Sequence, residues 1–511
     1  MQAQSNSWKA ALDAALTRPV WIMLLLGFSA GIPILLIFSS LSIWLREADV
    51  SRSAITFFSW AALGYSFKFV WAPLVDQLPL PVLTRVLGRR RSWLLLSQLA
   101  VVGAIFAMGS VDPASGESAL TAMALAAVAL GFSSATQDIV IDAYRIEAAD
   151  KRIQGMLSST YIGGYRIAML VSGAGALYLA AYFGSSGEAY DYSAWQKTYW
   201  LMAAAMSVGI VTTLCISEPE GSQARHEYSS GDYLRFLLLF ALVVLSFIFA
   251  YSQLSAGLAY LKTAFDTVMS GPFMGFVAEV SRLLLALAAA ALAATLLVKA
   301  NIANRDMVKG TYVAPVQDFF NRFGVKTALV LLLLVCTYRV SDIVLGVMSN
   351  VFYLDMGYEK TDIAAAVKTF GLFMTLLGGF GGGILAMRFG VVNMLLVGGI
   401  LAAGTNLLFI WLTLAEPSFV ALYTVVAADN LSAGLASAAF IAYLASLTNI
   451  QFTAVQYAIF SSIMTLFPKV LGGYSGTIVD SLGYVGFFIM TTLLGLPVLL
   501  LILYARRYVD E

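Results

Sequence analysis

Histidine is nearly absent from this sequence. His226 is the only one, which removes the usual protein ligand of a metal centre and the side chain that titrates most readily near neutral pH. Cysteine is almost as scarce, and Cys215 and Cys336 both lie in apolar stretches where they read as small hydrophobic residues, not as a disulfide pair. Charged residues make up 12% of the chain against about 25% in an ordinary soluble domain. The net charge of +1 gives no reason to expect a nucleic-acid partner. No phosphate-cradling glycine loop, metal-ligand cluster or nucleophile constellation occurs, which argues against an ATP-driven pump and against an enzyme, and no cofactor or metal is expected. The opening stretch, MQAQSNSWKAALDAALTRP, is polar and helix-prone and lacks the apolar core of a cleavable signal.

What the chain has in excess is apolar sequence, 60% of its 511 residues against about 45–50% in soluble domains. A helix rising about 1.5 Å per residue needs about 20 apolar residues to cross about 30 Å of hydrocarbon. Runs of that length fall near 20–44, 54–75, 92–110, 118–142, 154–183 and 197–216, then 233–260 and 272–298, then 325–352, 361–387, 391–414, 417–447, 453–481 and 484–505. The pattern predicts an all-α membrane protein of fourteen spans arranged six, two and six. The expected parts are an N-terminal bundle over 1–220, two additional helices within 221–300, a connector over 301–324 and a C-terminal bundle over 325–511. Lysine and arginine favour cytoplasmic loops. Placing the N-terminus in the cytoplasm leaves only Arg46, Arg52, Lys197, Lys262 and Lys360 outside, so both termini are expected inside.

The two groups of six resemble each other. Arg166 precedes Ser172-Gly173 in the fifth span, and Lys469 precedes Ser475-Gly476 at the same spacing in the thirteenth. The loop after the second span carries Asp76 and then Gly88-Arg89-Arg90-Arg91, which resembles the Gly-x-Leu-Ala-Asp-Arg-x-Gly-Arg-Arg signature of the major facilitator superfamily with an insertion. The corresponding loop of the second group, Gly383 to Gly390, keeps the spacing and Arg388 but has Met387 in place of the acid. The resemblance implies a major facilitator fold of two six-helix bundles, here with two extra central helices. It gives Asp76, Gly88, Arg89, Arg90, Arg91 and Arg388 a gating role, since an acid facing arginines can lock one state and release in another.

At finer grain the chain is similar to the AmpG-type muropeptide permeases. The strings that carry this are LGFSAGIPILL at Leu26–Leu36, SFKFVWAPLVD at Ser66–Asp76, GRRRSWLL at Gly88–Leu95, SSATQDIVIDAY at Ser133–Tyr144 and GYRIAMLVSG at Gly164–Gly173. Looser matches are APVQDFF at Ala314–Phe320, YRVSD at Tyr338–Asp342 and VKTFGLF at Val367–Phe373. The resemblance implies proton-driven import of anhydro-muropeptides across the bacterial inner membrane for peptidoglycan recycling, a link to β-lactamase induction and antibiotic resistance, and a monomer whose partners are substrate, protons and lipid. A siderophore or another small anionic solute would use the same fold and charges.

Ionisable residues within spans are rare and default to functional candidates, because each costs at least ~2.5 kcal/mol at a helix centre. With no histidine in a span, a carboxylate has to carry a coupled proton. Asp138 is the first choice; Asp142, Asp342 and Asp429 follow. For a substrate that is sugar at one end and acidic peptide at the other, cations and aromatic faces are wanted. Lys68, Gln137, Tyr165, Arg166, Tyr338, Arg339, Lys368, Gln456, Tyr457 and Lys469 are the expected contacts, and Trp44, Tyr65, Trp71 and Phe370 are further stacking candidates. The competing structural readings are a local Arg339–Asp342 pair, a snorkelling Lys469 and a neutralising Glu279–Arg282 pair. Gly27 and Gly31 before Pro33 predict close helix packing and a bend in the first span.

The central helices lie outside the repeat, which generates a first prediction. Replacing about 230–298 with a polar linker should leave membrane insertion and most of the transport intact. Complete loss of transport by a correctly inserted deletion protein would show that the pair is integral.

Overall fold

All regular structure among the described residues is helical. The computed structural model describes residues 17–50, 65, 67–150, 153–185, 190–219, 228–265, 271–358, 360–472 and 475–509. Twelve helices there are long and apolar enough to cross a membrane: α1 (Arg18–Glu47), α2 (Arg89–Gly109), α3 (Glu117–Glu147), α4 (Gln154–Tyr182), α5 (Tyr192–Cys215), α6 (Ser230–Leu254), α7 (Val325–Ser349), α8 (Ala365–Phe389), α9 (Val391–Leu414), α10 (Phe419–Leu447), α11 (Ile450–Pro468) and α12 (Ile478–Arg507). Among the described residues the count reaches twelve of the expected fourteen. Most of the expected span 54–75 lies outside the described residues, and its described end is a 3-10 turn, Lys68–Val70, followed by a short helix, Ala72–Gln77. The expected span 272–298 does form a helix, Gly271–Lys299, whose measurable apolar part is Leu284–Lys299.

The chain divides into two compact units, one of Met1–Gln223 with Phe319–Glu511 and one of Ala224–Asp318. Helices α1–α5 and α7–α12 belong to the first. In the second unit, α6 pairs with Gly271–Lys299, and Arg282 is held by Tyr251, stacking 3.7 Å from its ring centroid and donating from Nε to its carbonyl at 2.8 Å. The side chain of Glu279, its expected partner, lies outside the described residues, as does His226.

Within the first unit, small residues set the helix spacing. Gly27 and Gly31 of α1 pack on the Tyr161 and Tyr165 carbonyls of α4, and Gly164 of α4 packs on the Leu24 carbonyl. A Cβ at any of these would overlap a backbone oxygen, so only glycine allows the approach. In the second half Gly378 of α8 meets the Leu431 carbonyl of α10 and Gly434 meets that of Thr375. Between the halves, Gly155, Ser159 and Gly163 of α4 face Phe380, Gly383 and Ala386 of α8.

Several spans are not continuous α-helices. The first breaks at Phe38, beyond Pro33, and α7 is interrupted at Tyr338 and Arg339. A π-helical turn, Val171–Gly175, interrupts α4 one turn past Arg166. There the Ser172 carbonyl is recovered by the Ser40 hydroxyl, which donates to it at 2.7 Å.

The glycine contacts yield a stability test. Gly164→Ala forces α1 and α4 apart and should cost about 1–3 kcal/mol or more, read as a lower thermal unfolding midpoint in detergent. Gly103→Ala, inside α2 at a position with no neighbour within 4 Å, should leave the midpoint unchanged or raise it slightly; a drop equal to that of Gly164→Ala would refute the packing argument.

Candidate functional site

The charged residues gather in three places. The first is at the helix ends that carry the arginine loop, called here the Arg90 end. Gly88 has a φ of 87°, the left-handed region that glycine tolerates, and the Glu218 side chain sits directly against it. Glu218 accepts from the backbone N–H groups of Arg90 at 2.8 Å and Arg91 at 3.1 Å, placing a carboxylate on the N-terminus of α2. The three arginines do three different things. Arg89 donates to the Asp76 carbonyl at 2.9 Å. Arg91 donates to the carbonyls of Thr213 and Leu214 at the end of α5. Arg90, 1% exposed, is the ionic centre: its Nη2 lies 2.8 Å from Asp76 Oδ1, 2.5 Å from Glu147 Oε1 and 3.0 Å from Thr453 Oγ1. Thr453 also donates its hydroxyl to Glu147. Because Thr453 begins the helical part of α11, this cluster ties the two halves together. Among the described residues Arg388 forms no ion pair and lies 5.6 Å from the Phe389 ring.

The second cluster lies one turn deeper along α3. Asp142 is shared between Lys68 and Arg145, with Oδ2 at 3.4 Å from Lys68 Nζ and Oδ1 at 3.4 Å from Arg145 Nη2. Arg145 also donates from Nη1 to Ser158 Oγ at 2.8 Å, and its guanidinium lies 5.1 Å from the ring centroid of Tyr457 on α11. Asp138 accepts from the Tyr161 hydroxyl at 3.3 Å, with Lys68 and Asp142 within electrostatic reach. It has neither of the direct ion pairs that hold Asp142. Tyr65 donates to Ser134 Oγ at 2.7 Å nearby, and the Tyr161 and Tyr165 rings are 6.2 Å apart.

The third cluster belongs to the second half, at the interruption in α7. Arg339 Nε lies 3.2 Å from Asp342 Oδ2, the local pair foreseen as an alternative, and Arg339 Nη1 donates to Ser437 Oγ at 2.6 Å. Asp429 of α10 is within electrostatic reach of both Asp342 and Arg339. Arg166 of α4 feels Arg339 across the halves, yet it is exposed in mid-span and pairs with no acid among the described residues.

Several expected contacts point elsewhere. Gln137 is fully buried inside the first half, where its Oε1 accepts from Ser29 at 3.5 Å. Tyr338 stacks on Phe440 at 4.4 Å and donates to the Leu395 carbonyl at 3.0 Å, within the second half. Gln456 accepts from the Asn449 N–H at 2.8 Å and from Arg322 at 3.2 Å near the start of α11. Trp44 is enclosed by Trp195 and Tyr199, and Trp71 donates to Thr136 and packs on Phe132. In this structure these side chains take part in internal packing, although the buried Gln137 Nε2 has no hydrogen-bond partner. The Lys368 and Lys469 side chains lie outside the described residues. Sequence reasoning missed Arg145, Glu147, Glu218 and Thr453. The charged pair at the end of the fourth span was the one available signal, since Arg145 and Glu147 directly follow the chosen Asp138 and Asp142.

Comparison with known proteins gives the following. The family described as Acetyl-coenzyme A transporter 1 matches residues 19–182. A protein of Rickettsia felis named Putative transporter AmpG 4 is 32% identical over 486 residues, 95% of this chain and 96% of that protein. The Anhydromuropeptide permease of Escherichia coli is 28% identical over 490 residues, 96% of this chain and 80% of that one. In structure the chain resembles the E. coli fucose:proton symporter FucP, with a TM-score of 0.61 at 9% identity over 95% of this chain and 98% of that one. It also resembles the proton:xylose symporter XylE, with a TM-score of 0.59 at 12% identity over 98% and 97%. The fold is therefore that of major facilitator transporters.

The different surroundings of the arginines set an order of effects. Arg90→Lys keeps one charge but cannot hold Asp76, Glu147 and Thr453 together, so the transport rate should fall about tenfold or more with substrate affinity nearly unchanged. Arg388→Gln should change the rate by less than about twofold. Weakened binding at unchanged rate in Arg90→Lys would contradict a gating role.

Proposed function

The chain belongs to the AmpG-type permeases of the major facilitator superfamily, and from that premise we propose that it imports anhydro-muropeptides from periplasm to cytoplasm, driven by the proton motive force. The observation that carries this reading is Arg166. A guanidinium exposed in mid-span with no acid beside it is unfavourable in an empty carrier and favourable once a ligand carboxylate arrives. The peptide of a muropeptide supplies such carboxylates. Arg339, which faces Arg166 from the other half, gives the ligand a second point of attachment, with Tyr165 beside Arg166 offering a ring to the sugar. Lys368 and Lys469 remain proposed contacts of the same ligand.

Asp138 carries the proton in this scheme. Its neighbour Asp142 is already neutralised on both sides, by Lys68 and Arg145, whereas Asp138 relies on one tyrosine hydroxyl. Asp342 and Asp429 are the second-half alternatives. The membrane is the bacterial inner membrane, with both termini and the Arg90 end in the cytoplasm, because the basic loops gather on that side. Fourteen spans then cross it, the second and eighth running through 54–75 and 272–298, and the protein acts as a monomer. The imported peptides feed peptidoglycan recycling and β-lactamase induction.

Purified protein in proteoliposomes tests the reading. Labelled N-acetylglucosaminyl-anhydro-N-acetylmuramyl peptide should accumulate when the outside is acidic and not when the gradient is collapsed. In Asp138→Asn, which keeps shape and hydrogen bonding but removes the titration, accumulation should vanish while exchange down a substrate gradient persists. Uptake of a siderophore in preference to the muropeptide would overturn the substrate; gradient-driven accumulation by Asp138→Asn would overturn the proton site.

A further inference from the structure

The helix α3 carries Asp138, Asp142, Arg145 and Glu147 in succession, and the last two of these meet α11 of the other half. Glu147 does so through Arg90 and Thr453, and Arg145 by lying over the ring of Tyr457, one turn further along α11 than Thr453. The seam between the halves at the Arg90 end is thus a ladder of two polar rungs. The Arg145 rung differs from the other in being wired to the interior. Arg145 shares Asp142 with Lys68, and Lys68 also lies within electrostatic reach of Asp138. Arg145 is 1% exposed, and its Nε has no hydrogen-bond partner. A buried donor left unmade is costly, so the guanidinium is held in an arrangement that a small change of its counterion can unsettle.

From this geometry we infer that Arg145 is a positioning residue that transmits the charge of Asp138 to the seam, acting as a latch on Tyr457. With Asp138 protonated, Lys68 stays on Asp142, and Arg145, relieved of sole responsibility for that carboxylate, rests on the Tyr457 ring. With Asp138 ionised, Lys68 is drawn towards it, Asp142 draws Arg145 inward, and the rung to α11 is released. This sign suits a proton-coupled importer. The empty ionised carrier has to cross unloaded, and the empty protonated carrier has to be held back until substrate binds. The groups around Asp138 are Tyr161 and Tyr165 from α4, Tyr65 and Lys68 from the segment before Ala72–Gln77, Tyr457 from α11, and Asp142 with Arg145 from α3 itself. Lys68 is the one cation among them that reaches both carboxylates.

The inference rests on the proton-site reading of Asp138 but not on the identity of the substrate, so its test uses no substrate. Ser159, 2% exposed, faces Gly383 between the halves. In full-length protein with Cys215→Ser and Cys336→Ser, Ser159→Cys reports opening of the seam through its rate of modification by a small methanethiosulfonate. We expect that rate, divided at each pH by the rate of the exposed Ser115→Cys variant so that thiol ionisation cancels, to rise about tenfold from about pH 5 to about pH 9, a common size for coupling between two sites. Tyr457→Leu, which removes the ring under Arg145, should be modified fast at every pH. Arg145→Lys, which keeps the charge but not the flat stacking face, should likewise lose the pH dependence. Asp138→Asn should be modified slowly at every pH.

The latch is overturned if both Tyr457→Leu and Arg145→Lys, each eluting as folded protein on size exclusion, keep the tenfold pH response while Asp138→Asn loses it. The proton-site reading fails instead if Asp138→Asn keeps the response. A flat response in the parent protein overturns the latch outright.

Discussion

Arg90 is the constraint on which this end of the molecule depends. A guanidinium almost wholly removed from water has to find carboxylates and hydrogen-bond acceptors on every side, and removing a partner from such a buried cluster typically costs about 3–5 kcal/mol. Asp76 and Glu147 supply the charges and Thr453 the neutral acceptor. The surroundings exist to hold Arg90 still. Glu218 fixes its backbone at the start of α2, Gly88 leaves room for Glu218, and Arg91 ties α2 to the end of α5. Arg18 does the same for α1 by donating to the Cys215 carbonyl at 3.0 Å. Four helix ends are therefore registered by one buried cation and its neighbours, and only then does the contact with α11 become specific.

The same loop in the second half has not kept this arrangement. Met387 stands where an acid would and is buried, and Arg388 makes no ion pair among the described residues. The ionic cluster is one-sided. The second half contributes a hydroxyl, Thr453, and a ring, Tyr457, which are weaker partners than a carboxylate and can let go without leaving a naked charge behind. The charges of Arg90, Asp76 and Glu147 are thus compensated within the first half without the contact to α11.

Glycine contacts and broken helices divide the labour of the spans. Along α1 with α4 and α8 with α10, glycine brings the backbones into direct contact. The interruptions, at Phe38, at Tyr338 and Arg339, and in the π-turn Val171–Gly175, fall on the spans that carry or adjoin Arg166 and Arg339. A carbonyl freed inside an apolar layer needs a partner, as Ser40 provides at Ser172. Such sites are where a span can bend while its ends stay packed.

The sequence by itself determined the class, the helical architecture, the family and the loop that carries the buried ionic cluster. Each of these follows from local information: run length, charge scarcity, and short strings whose meaning does not depend on distant partners. It also singled out the acids and bases that cluster inside, because an ionisable residue in an apolar run stands out wherever it points. What it could not separate was which of three adjacent arginines forms the buried ion pairs, or which of two acids one turn apart is already paired. Gln137, Tyr338 and Trp44 looked like ligands for the same reason, since a polar or aromatic side chain in a span reads alike whether it faces a cavity or its own bundle. Arg145, Glu147, Glu218 and Thr453 acquire their roles only through residues far away in the chain. The tertiary structure decided these points, because a charge's function here is set by what lies within about 4 Å of it, and helix packing, not sequence order, chooses those neighbours.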